Sequence, residues 1–299
     1  MDISFIIPCY NSEKTLPACV SAIAKQQGGY SFEIIIADSS KTPVKNEYFG
    51  KLAEKITVIH SDTRLFPGQA RNMGLQHSKS DYIALIDSDI ILPPDWTTTM
   101  MCSRKQLVQD HGPHIIMGGS IENDQTTADV WSDALTLMEF YRVLPTPREE
   151  FRNELPAANL FLASATVKKL QLSFSTHRMA EDILFCKQAL NNGAKIYFVG
   201  SNKVQHRINK RFSQYTYYMG AATCIVRLSH PRLLMKLLFI ISMPLGSIYK
   251  LLTITIGLIR NNPRHIWFLL RRLPFLCCGL LSLHLGILAY PFTKKRWAN

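Results

Sequence analysis

Two aspartates, Asp87 and Asp89, close the segment DYIALIDSDI at a spacing that suggests chemistry. Side chains two positions apart on an extended strand point to the same side, so both carboxylates would face one small volume and repel each other. A divalent cation such as Mg²⁺ or Mn²⁺ prefers oxygen ligands and would cancel this repulsion. The alternative is structural, because acids are ordinary at strand ends and Asp-Ser-Asp can shape a turn.

The strand before Asp87 is one of several short β-branched runs that alternate with helical patterns. SFIIP, FEIIIAD and KITVIH are typical of buried strands, and GQARNMGLQH is typical of a helix. This alternation predicts an α/β domain with a mostly parallel central sheet. Ligands of such sheets bind beyond the carboxyl ends of the strands, where Tyr10, Asn11 and Asp38 also lie. The polar residues are therefore expected to meet at one crevice.

A second acidic pair, Glu181 and Asp182, opens the segment AEDILFCKQALNNG. A hydroxyl group becomes a useful nucleophile only when a positioned base accepts its proton, and a carboxylate can do so. Acids in a first helical turn are also favoured by the helix dipole and need no catalytic purpose. Both interpretations stay open from the residues alone.

Taken together, these segments resemble the family 2 glycosyltransferases over roughly residues 3 to 215. The segments that carry the resemblance are SFIIPCYNSEKTL, EIIIADSS, GQARNMGL, DYIALIDSDI and AEDILFCKQAL, in this order. The resemblance implies a GT-A-type domain that binds a nucleotide-sugar donor across the carboxyl edge of its sheet. It also implies a bound Mg²⁺ or Mn²⁺ that stabilises the departing nucleoside diphosphate.

The resemblance implies donor-binding roles for five residues besides Asp87. Pro8 and Tyr10 match a motif that lines the base and ribose pocket, and Asp38 matches an acid that binds the nucleobase or ribose. Arg71 and Asn72 match an A-R-N-x-G segment near the nucleotide, where a guanidinium suits the donor's oxygens.

The resemblance assigns Asp89 as a direct metal ligand and Asp87 as a residue shared between the metal and the ribose. His206 matches a histidine that completes the metal site in some relatives, although a histidine on a loop is often a plain polar residue. Asp182 corresponds to the general base of an inverting transfer, and Glu181 would help to orient the acceptor.

Two departures from the family pattern limit these assignments. Ser39 stands where a second acid is usual and Pro43 where another often lies, so the nucleotide is not specified. The Q-x-x-R-W signature of processive synthases does not follow Asp182 in the sequence. This predicts that one sugar is added per encounter.

Charge is distributed unevenly along the chain. Of the 34 Lys and Arg residues, 11 lie in residues 227–299, which leaves 23 in residues 1–226 together with all 22 Asp and Glu residues. The sequence thus predicts a catalytic domain over residues 1–226 and a basic, hydrophobic segment over 227–299. Nucleic-acid-binding arms are polar, whereas this segment is rich in Leu, Ile and Phe, so nucleic acid is excluded as a partner and an anionic membrane surface is favoured.

Two stretches of the basic segment, Leu233 to Ile259 and Leu273 to Tyr290, are nearly long enough to cross a bilayer. A two-span hairpin would place Arg260, Arg264, Arg271 and Arg272 outside, against the positive-inside tendency. Helices lying in the membrane interface, or a re-entrant hairpin, are therefore favoured over full crossing. The remaining alternative is a buried helical pair that caps the catalytic domain.

The seven cysteines form no CxxC pairs, which fits a reducing, cytoplasmic setting. The sequence therefore predicts a metal-dependent, inverting glycosyltransferase at the cytoplasmic face of the membrane. Its acceptor would be a glycan or a lipid-linked saccharide of cell-envelope polysaccharide synthesis. The alternatives are a non-catalytic membrane scaffold of the same fold and a nucleotidyltransferase, although IIPCYNSEK is not the glycine-rich phosphate loop that the latter would need.

Overall fold

The computed structural model describes residues 1–208, 211–228, 232–242, 245–261 and 265–293. Packing divides the chain into two compact units. The first unit comprises Met1–Ile121, Pro147–Thr176 and Glu181–Arg207, and the second comprises Glu122–Thr146, His177–Ala180 and Ile208–Asn299. The boundary predicted after residue 226 falls inside a helix of the second unit, Phe212–Leu228.

Strands and helices are numbered in chain order. The strands are β1 Ile3–Cys9, β2 Phe32–Asp38, β3 Ile56–His60, β4 Tyr82–Ile86, β5 Ile90–Ile91, β6 Ile115–Asn123, β7 Glu149–Arg152, β8 Asn159–Ala163 and β9 Lys195–His206. The helices are α1 Leu16–Ala24, α2 Pro67–His77, α3 Trp96–His111, α4 Val130–Phe140, α5 Ser164–Lys169, α6 Glu181–Asn191, α7 Phe212–Leu228, α8 Leu233–Ser242, α9 Gly246–Asn261 and α10 His265–Thr293. A 3-10 helical stretch spans Asn46–Lys55.

Nine strands among the described residues form one sheet in the order β3-β2-β1-β4-β8-β6-β9-β5, and β7 pairs with β9. β1 pairs in parallel with β2 and β4, and β2 pairs in parallel with β3. The pairs β4–β8, β6–β8, β5–β9 and β7–β9 are antiparallel. The prediction of parallel strands is confirmed for β1 to β4, and the later strands make the sheet mixed.

The core of the first unit explains its uninterrupted apolar runs. Ile3, Phe5, Ile6 and Ile7 of β1 are all fully buried, as expected when both faces of a parallel sheet are covered. Helix α2 packs closely on this strand, because a Cβ added at Gly74 would overlap Ile6 Cγ2. This close approach fixes the position of α2 on the sheet, and α2 carries residues of the candidate site.

The second unit is helical over most of its described length. Trp267–Phe292 within α10 is long and apolar enough to cross a membrane, with a mean hydropathy of 1.8, and 39% of its most apolar window is buried within the protein. α8 and Gly246–Ile259 of α9 pass the same test only together and are bent by 94°. Arg271 and Arg272 lie inside α10, not in a connector, whereas the Arg260 side chain and Arg264 lie outside the described residues.

Candidate functional site

The carboxyl ends of the first three strands are aligned by their register. Cys9 at the end of β1 lies opposite Asp38 of β2, and Asp38 lies opposite His60 of β3. The Asp38 carboxylate accepts hydrogen bonds from the Ser40 N–H (2.9 Å) and the Val44 N–H (3.0 Å), and its Oδ2 lies 2.8 Å from His60 Nδ1. Asp38 is fully buried. Its carboxylate therefore shapes the turn after β2, and its predicted contact with the nucleobase or ribose stays a prediction.

The environment of Asp38 makes stability depend on pH. Burial raises the pKa of this carboxyl, but the hydrogen bonds from Ser40, Val44 and His60 outweigh burial, so the pKa is lowered. A lowered pKa means that the folded protein binds fewer protons than the unfolded chain at acidic pH. The stabilisation from Asp38 is complete above the unfolded pKa of about 3.9 and is lost as the pH falls through the folded pKa.

We therefore expect the free energy of unfolding of Asp38→Asn to fall less steeply than that of the wild type below about pH 5. The measurement is urea unfolding at a series of pH values from 7 to 3. Asp81→Asn is the matched control, because Asp81 is exposed. Identical slopes for Asp38→Asn and the wild type would contradict this account.

Tyr10 begins the turn after β1 and Pro8 lies just before this turn, inside the strand; both residues are partly exposed. The Arg64 guanidinium lies over the Tyr10 ring at 4.2 Å from its centroid, a cation–π contact. Asn11 has a left-handed φ of 51°, and its N–H donates to Ser40 Oγ at 2.8 Å, which ties this turn to the turn after β2. The donor-binding roles of Pro8 and Tyr10 stay predictions, and Arg64 adds a cation beside them.

Asp87 and Asp89 follow β4 at this same edge and are held by different partners. Asp87 Oδ1 lies 2.6 Å from Arg71 Nη2, and Asp89 Oδ2 lies 3.1 Å from His206 Nε2. The second contact arises because β5 pairs with β9, which places Ile90 opposite His206. The Asp87 and Asp89 side chains are 28% and 19% exposed, so neither is sealed in the interior.

Asp89 and His206 are the residues that fit a divalent cation. Two ligands of an octahedral ion at about 2.1 Å lie about 3.0 Å apart, close to the separation of Asp89 Oδ2 and His206 Nε2. Asp87 turns one oxygen to Arg71, and no group of three His, Cys, Asp or Glu residues within the described part of the chain is placed to hold a metal alone. A cation here would thus take its remaining ligands from phosphate oxygens or water.

Arg71 joins the two acidic pairs through Asp87 and Glu181, which are 94 residues apart in the sequence. Its Nη1 lies 2.7 Å from Glu181 Oε1 while its Nη2 binds Asp87. Burial alone would lower the pKa of Arg71, but the charges of Asp87, Glu181 and Asp182 outweigh burial and raise it. The guanidinium is buried and engaged with carboxylates. The predicted contact of this guanidinium with the oxygens of the donor stays a prediction.

One face of α2 positions this network. Gly68, Arg71 and Asn72 stand at i, i+3 and i+4, so they lie on one side of the helix. Asn72 Nδ2 donates to the Phe174 carbonyl, and its Oδ1 accepts from the Phe174 N–H, both at 2.8 Å. The Asn72 amide is therefore used to hold the backbone before α6, and its predicted contact with the nucleotide stays a prediction.

Gly68 leaves no room for a side chain. A Cβ there would overlap the Ser175 carbonyl oxygen and lie 3.1 Å from Glu181 Cβ. Overpacking of this kind costs about 1–3 kcal/mol, so we expect Gly68→Ala to lower the Tm and to reduce turnover by displacing Glu181. Gly246→Ala is the control, because among the described residues a Cβ at Gly246 meets only Ile287 Cδ1, at 3.7 Å. Equal melting temperatures for the two variants would contradict the close packing at Gly68.

The two acids at the start of α6 have different environments. Glu181 is buried against Arg71, whereas Asp182 is partly exposed. Ala180, directly before them, has a φ of 66°, a left-handed conformation that is strained for a residue with a Cβ. The strained residue sets the direction in which α6 begins. Asp182 is thus the acid of this pair that an acceptor could reach.

The sequence did not identify His60, Arg64 or Phe174 as parts of this site. His60 ends β3 beside Asp38, so the rule that polar residues at strand ends meet in space would have found it. Arg64 lies outside any strand or helix, and Phe174 contributes backbone groups. No periodic signal in the sequence marks either of these two residues.

Comparison with known proteins identifies the family of the chain. The sequence model of the family described as Glycosyl transferase family 2 matches residues 4–161. Glycosyltransferase GlyG of Streptococcus pneumoniae serotype 4 is 30% identical over 132 residues, which are 43% of this chain and 42% of GlyG. The chain spans less than half the length of the curated relatives GlyG and a mycobacterial pre-mycofactocin glycosyltransferase.

Two solved structures share the fold. The crystal structure of S. aureus TarS 1-349 in complex with UDP-GlcNAc matches with a TM-score of 0.54 and 14% identity, covering 98% of this chain and 92% of that chain. The crystal structure of GalNAc-T7 with UDP, GalNAc and Mn²⁺ matches with a TM-score of 0.51 and 16% identity, covering 70% of this chain and 44% of that chain. At such identities the likeness concerns the GT-A fold alone.

Proposed function

Because the chain belongs to glycosyl transferase family 2, we propose that it is a metal-dependent, inverting enzyme that transfers one sugar from a nucleotide-sugar donor to a membrane-linked or cell-surface glycan. The observation that carries this proposal is the bridge formed by Arg71 between Asp87 and Glu181. Through this bridge, Asp87, which would lie beside the donor's diphosphate, and Glu181, at the start of α6, belong to one network.

In this proposal Asp182 is the general base. It accepts the proton of the acceptor hydroxyl while that oxygen forms a bond to the anomeric carbon of the sugar. The bond from the anomeric carbon to the diphosphate oxygen breaks, and its electron pair stays with the nucleoside diphosphate. Attack opposite the leaving group inverts the configuration. The partial exposure of Asp182 supports this role.

Glu181 and Arg71 act as positioning residues. Glu181 is buried, so we propose that it orients Arg71, in place of the predicted contact with the acceptor. Arg71 in turn holds one Asp87 oxygen and leaves the other for a ribose hydroxyl or a cation. The start of α6 is thereby kept in register with the donor site.

Asp89 and His206 would hold the cation, with the second oxygen of Asp87 beside them. Imidazole and carboxylate ligands together suit Mn²⁺ better than Mg²⁺, which prefers oxygen. A bound cation would supply Lewis-acid stabilisation of the charge that develops on the departing diphosphate. The likeness in fold to a protein crystallised with Mn²⁺ supports testing this ion first.

We propose a membrane-linked acceptor, such as a polyprenyl-phosphate-linked saccharide of the cell envelope, and a location at the cytoplasmic face of the membrane. The basic, acid-free segment after Asp182 and the many exposed apolar residues of α8 to α10 support the membrane partner. The seven cysteines are free thiols, which fits a reducing compartment.

The test is hydrolysis of UDP-, GDP- and dTDP-sugars without acceptor, in Mn²⁺ or Mg²⁺, beginning with UDP-GlcNAc. We expect one donor to be hydrolysed in Mn²⁺, and we expect Asp89→Asn to slow this hydrolysis about 10²- to 10³-fold, since metal stabilisation is worth several kcal/mol. Asp95→Asn, at an exposed aspartate after β5, is the control. If Asp89→Asn hydrolysed the donor at the wild-type rate, or if chelation of the metal left hydrolysis unchanged, the assignment of Asp89 as a metal ligand would be removed.

A further inference from the structure

Helix α10 has two apolar faces, and only one of them is covered. The covered residues recur at heptad spacing, and each is at most 7% exposed: Leu269, Leu276, Leu280, Leu283, Ile287 and Tyr290. The exposed residues recur at helical spacing on another face, and each is at least 49% exposed: Leu281, Leu285, Leu288 and Phe292. A soluble amphipathic helix would carry polar residues on its exposed face.

The backbones of α10 and α7 approach each other closely along the covered face of α10. A Cβ added at Gly220 of α7 would overlap the Leu283 carbonyl oxygen, and one added at Gly286 of α10 would overlap the Tyr217 carbonyl oxygen. Glycine on both helices therefore allows α7 and α10 to approach more closely than side chains would permit. α10 belongs to the packed core of the second unit.

An ion pair also fixes α10 to α4. Arg272 Nη2 and Nε donate to Asp133 Oδ2 at 2.7 and 3.1 Å, and Asp133 Oδ1 accepts from Asn123 Nδ2 at 2.9 Å. Asp133 is 6% exposed, so separating it from Arg272 would leave a buried charge without compensation. Crossing a bilayer over Trp267–Phe292, the stretch that is long and apolar enough to do so, would require α10 either to break this pair or to take Asp133 into the hydrocarbon.

The exposed apolar surface continues onto the neighbouring helices. On α9, Ile248, Leu252, Ile256 and Ile259 are exposed at helical spacing, while Ile254 and Leu258 are fully buried. α8 has no buried residue, and Leu233, Leu237 and Ile241 are exposed along its length. Trp267, at the start of α10, is 70% exposed, and tryptophan favours the membrane interface.

We propose that α8, α9 and the exposed face of α10 form a docking surface for an anionic lipid bilayer, and that α10 lies within one leaflet without crossing. The charges of the chain fit this occupant, because no Asp or Glu follows Asp182, whereas 11 Lys and Arg lie in residues 227–299. This inference rests on the proposed function in one respect, because the proposed function supplies the membrane-linked acceptor.

The first test is flotation of the purified full chain with vesicles. We expect binding to phosphatidylglycerol-containing vesicles that exceeds binding to phosphatidylcholine vesicles. Leu285→Lys/Leu288→Lys should weaken binding at least about a hundredfold, since two leucines lose their burial in lipid. Tyr48→Lys, at an exposed tyrosine of the first unit, should bind like the wild type. Thermal melts of both variants establish folding. Equal binding of all variants, or dimerisation in place of flotation, would overturn the proposal.

The second test is topology in spheroplasts that express Trp267→Cys with a C-terminal tag. We expect position 267 to be protected from a membrane-impermeant maleimide. We also expect the C-terminal tag to be protected from externally added protease. Exposure of either one from outside means that α10, or the α8–α9 pair, crosses the membrane, and overturns the proposal. Donor hydrolysis is measured on the purified wild-type chain that is used for flotation, so a failure of the docking surface is distinct from a failure of the enzymatic proposal.

Discussion

Asp182→Asn is expected to lower the kcat of sugar transfer by about 10²- to 10⁴-fold, the usual contribution of a general base. Asn keeps the size of the side chain and can still accept the hydrogen bond from the Ile183 N–H, so α6 should begin at the same residue. The KM for the donor should change little, because Asp182 acts on the acceptor. The measurement is steady-state kinetics with the donor identified by the hydrolysis panel.

Two controls separate chemistry from structure at this position. Asp110→Asn, at an exposed aspartate of α3, should keep wild-type kinetics. Glu181→Gln should lower stability as well as turnover, because Glu181 is buried against Arg71. Wild-type turnover in Asp182→Asn would show that another group accepts the proton.

Arg71→Met should destabilise the first unit by about 3–5 kcal/mol, because it leaves the Glu181 and Asp87 carboxylates without their cation. Transfer should fall below detection in the same variant, since both the donor site and the start of α6 lose their common anchor. Arg71→Lys should recover only part of the stability, because one ammonium cannot reproduce the two-pronged contact of a guanidinium. The measurements are urea unfolding and initial rates.

A double variant makes the Arg71 prediction specific. Arg71→Met/Glu181→Gln removes one of the uncompensated charges, so it should be more stable than Arg71→Met alone while staying inactive. This coupling is expected of residues in direct contact. Additive losses of stability in the double variant would contradict the bridge.

The parallel half of the sheet could be predicted from the sequence because its strands are continuous β-branched runs. β2 was expected at Phe32 to Asp38 and is found there. β9 extends to His206, and its buried positions include Asn202 and His206, so polar residues hide the alternating pattern of this strand. His206 therefore lies on a strand, and not on a loop as expected.

The partners of Arg71 could not be predicted from the sequence. A guanidinium suits phosphate and carboxylate equally, and Glu181 is 110 residues away along the chain. Asp38 and Asn72 bind backbone groups of the chain itself, which only the folded turns supply, and their predicted contacts with the donor stay predictions. In the tail, the heptad of α10 was present in the sequence, but which face is covered depends on the close approach of α7 at Gly220 and Gly286.

The most direct test of the central claim is an anomalous difference map from crystals of the full chain grown with Mn²⁺ and the nucleoside diphosphate of the accepted donor. We predict one manganese peak within bonding distance of both Asp89 and His206, with Arg71 still bridging Asp87 and Glu181. A peak away from these two residues, or a diphosphate that binds Arg71 in place of the carboxylates, would contradict the account.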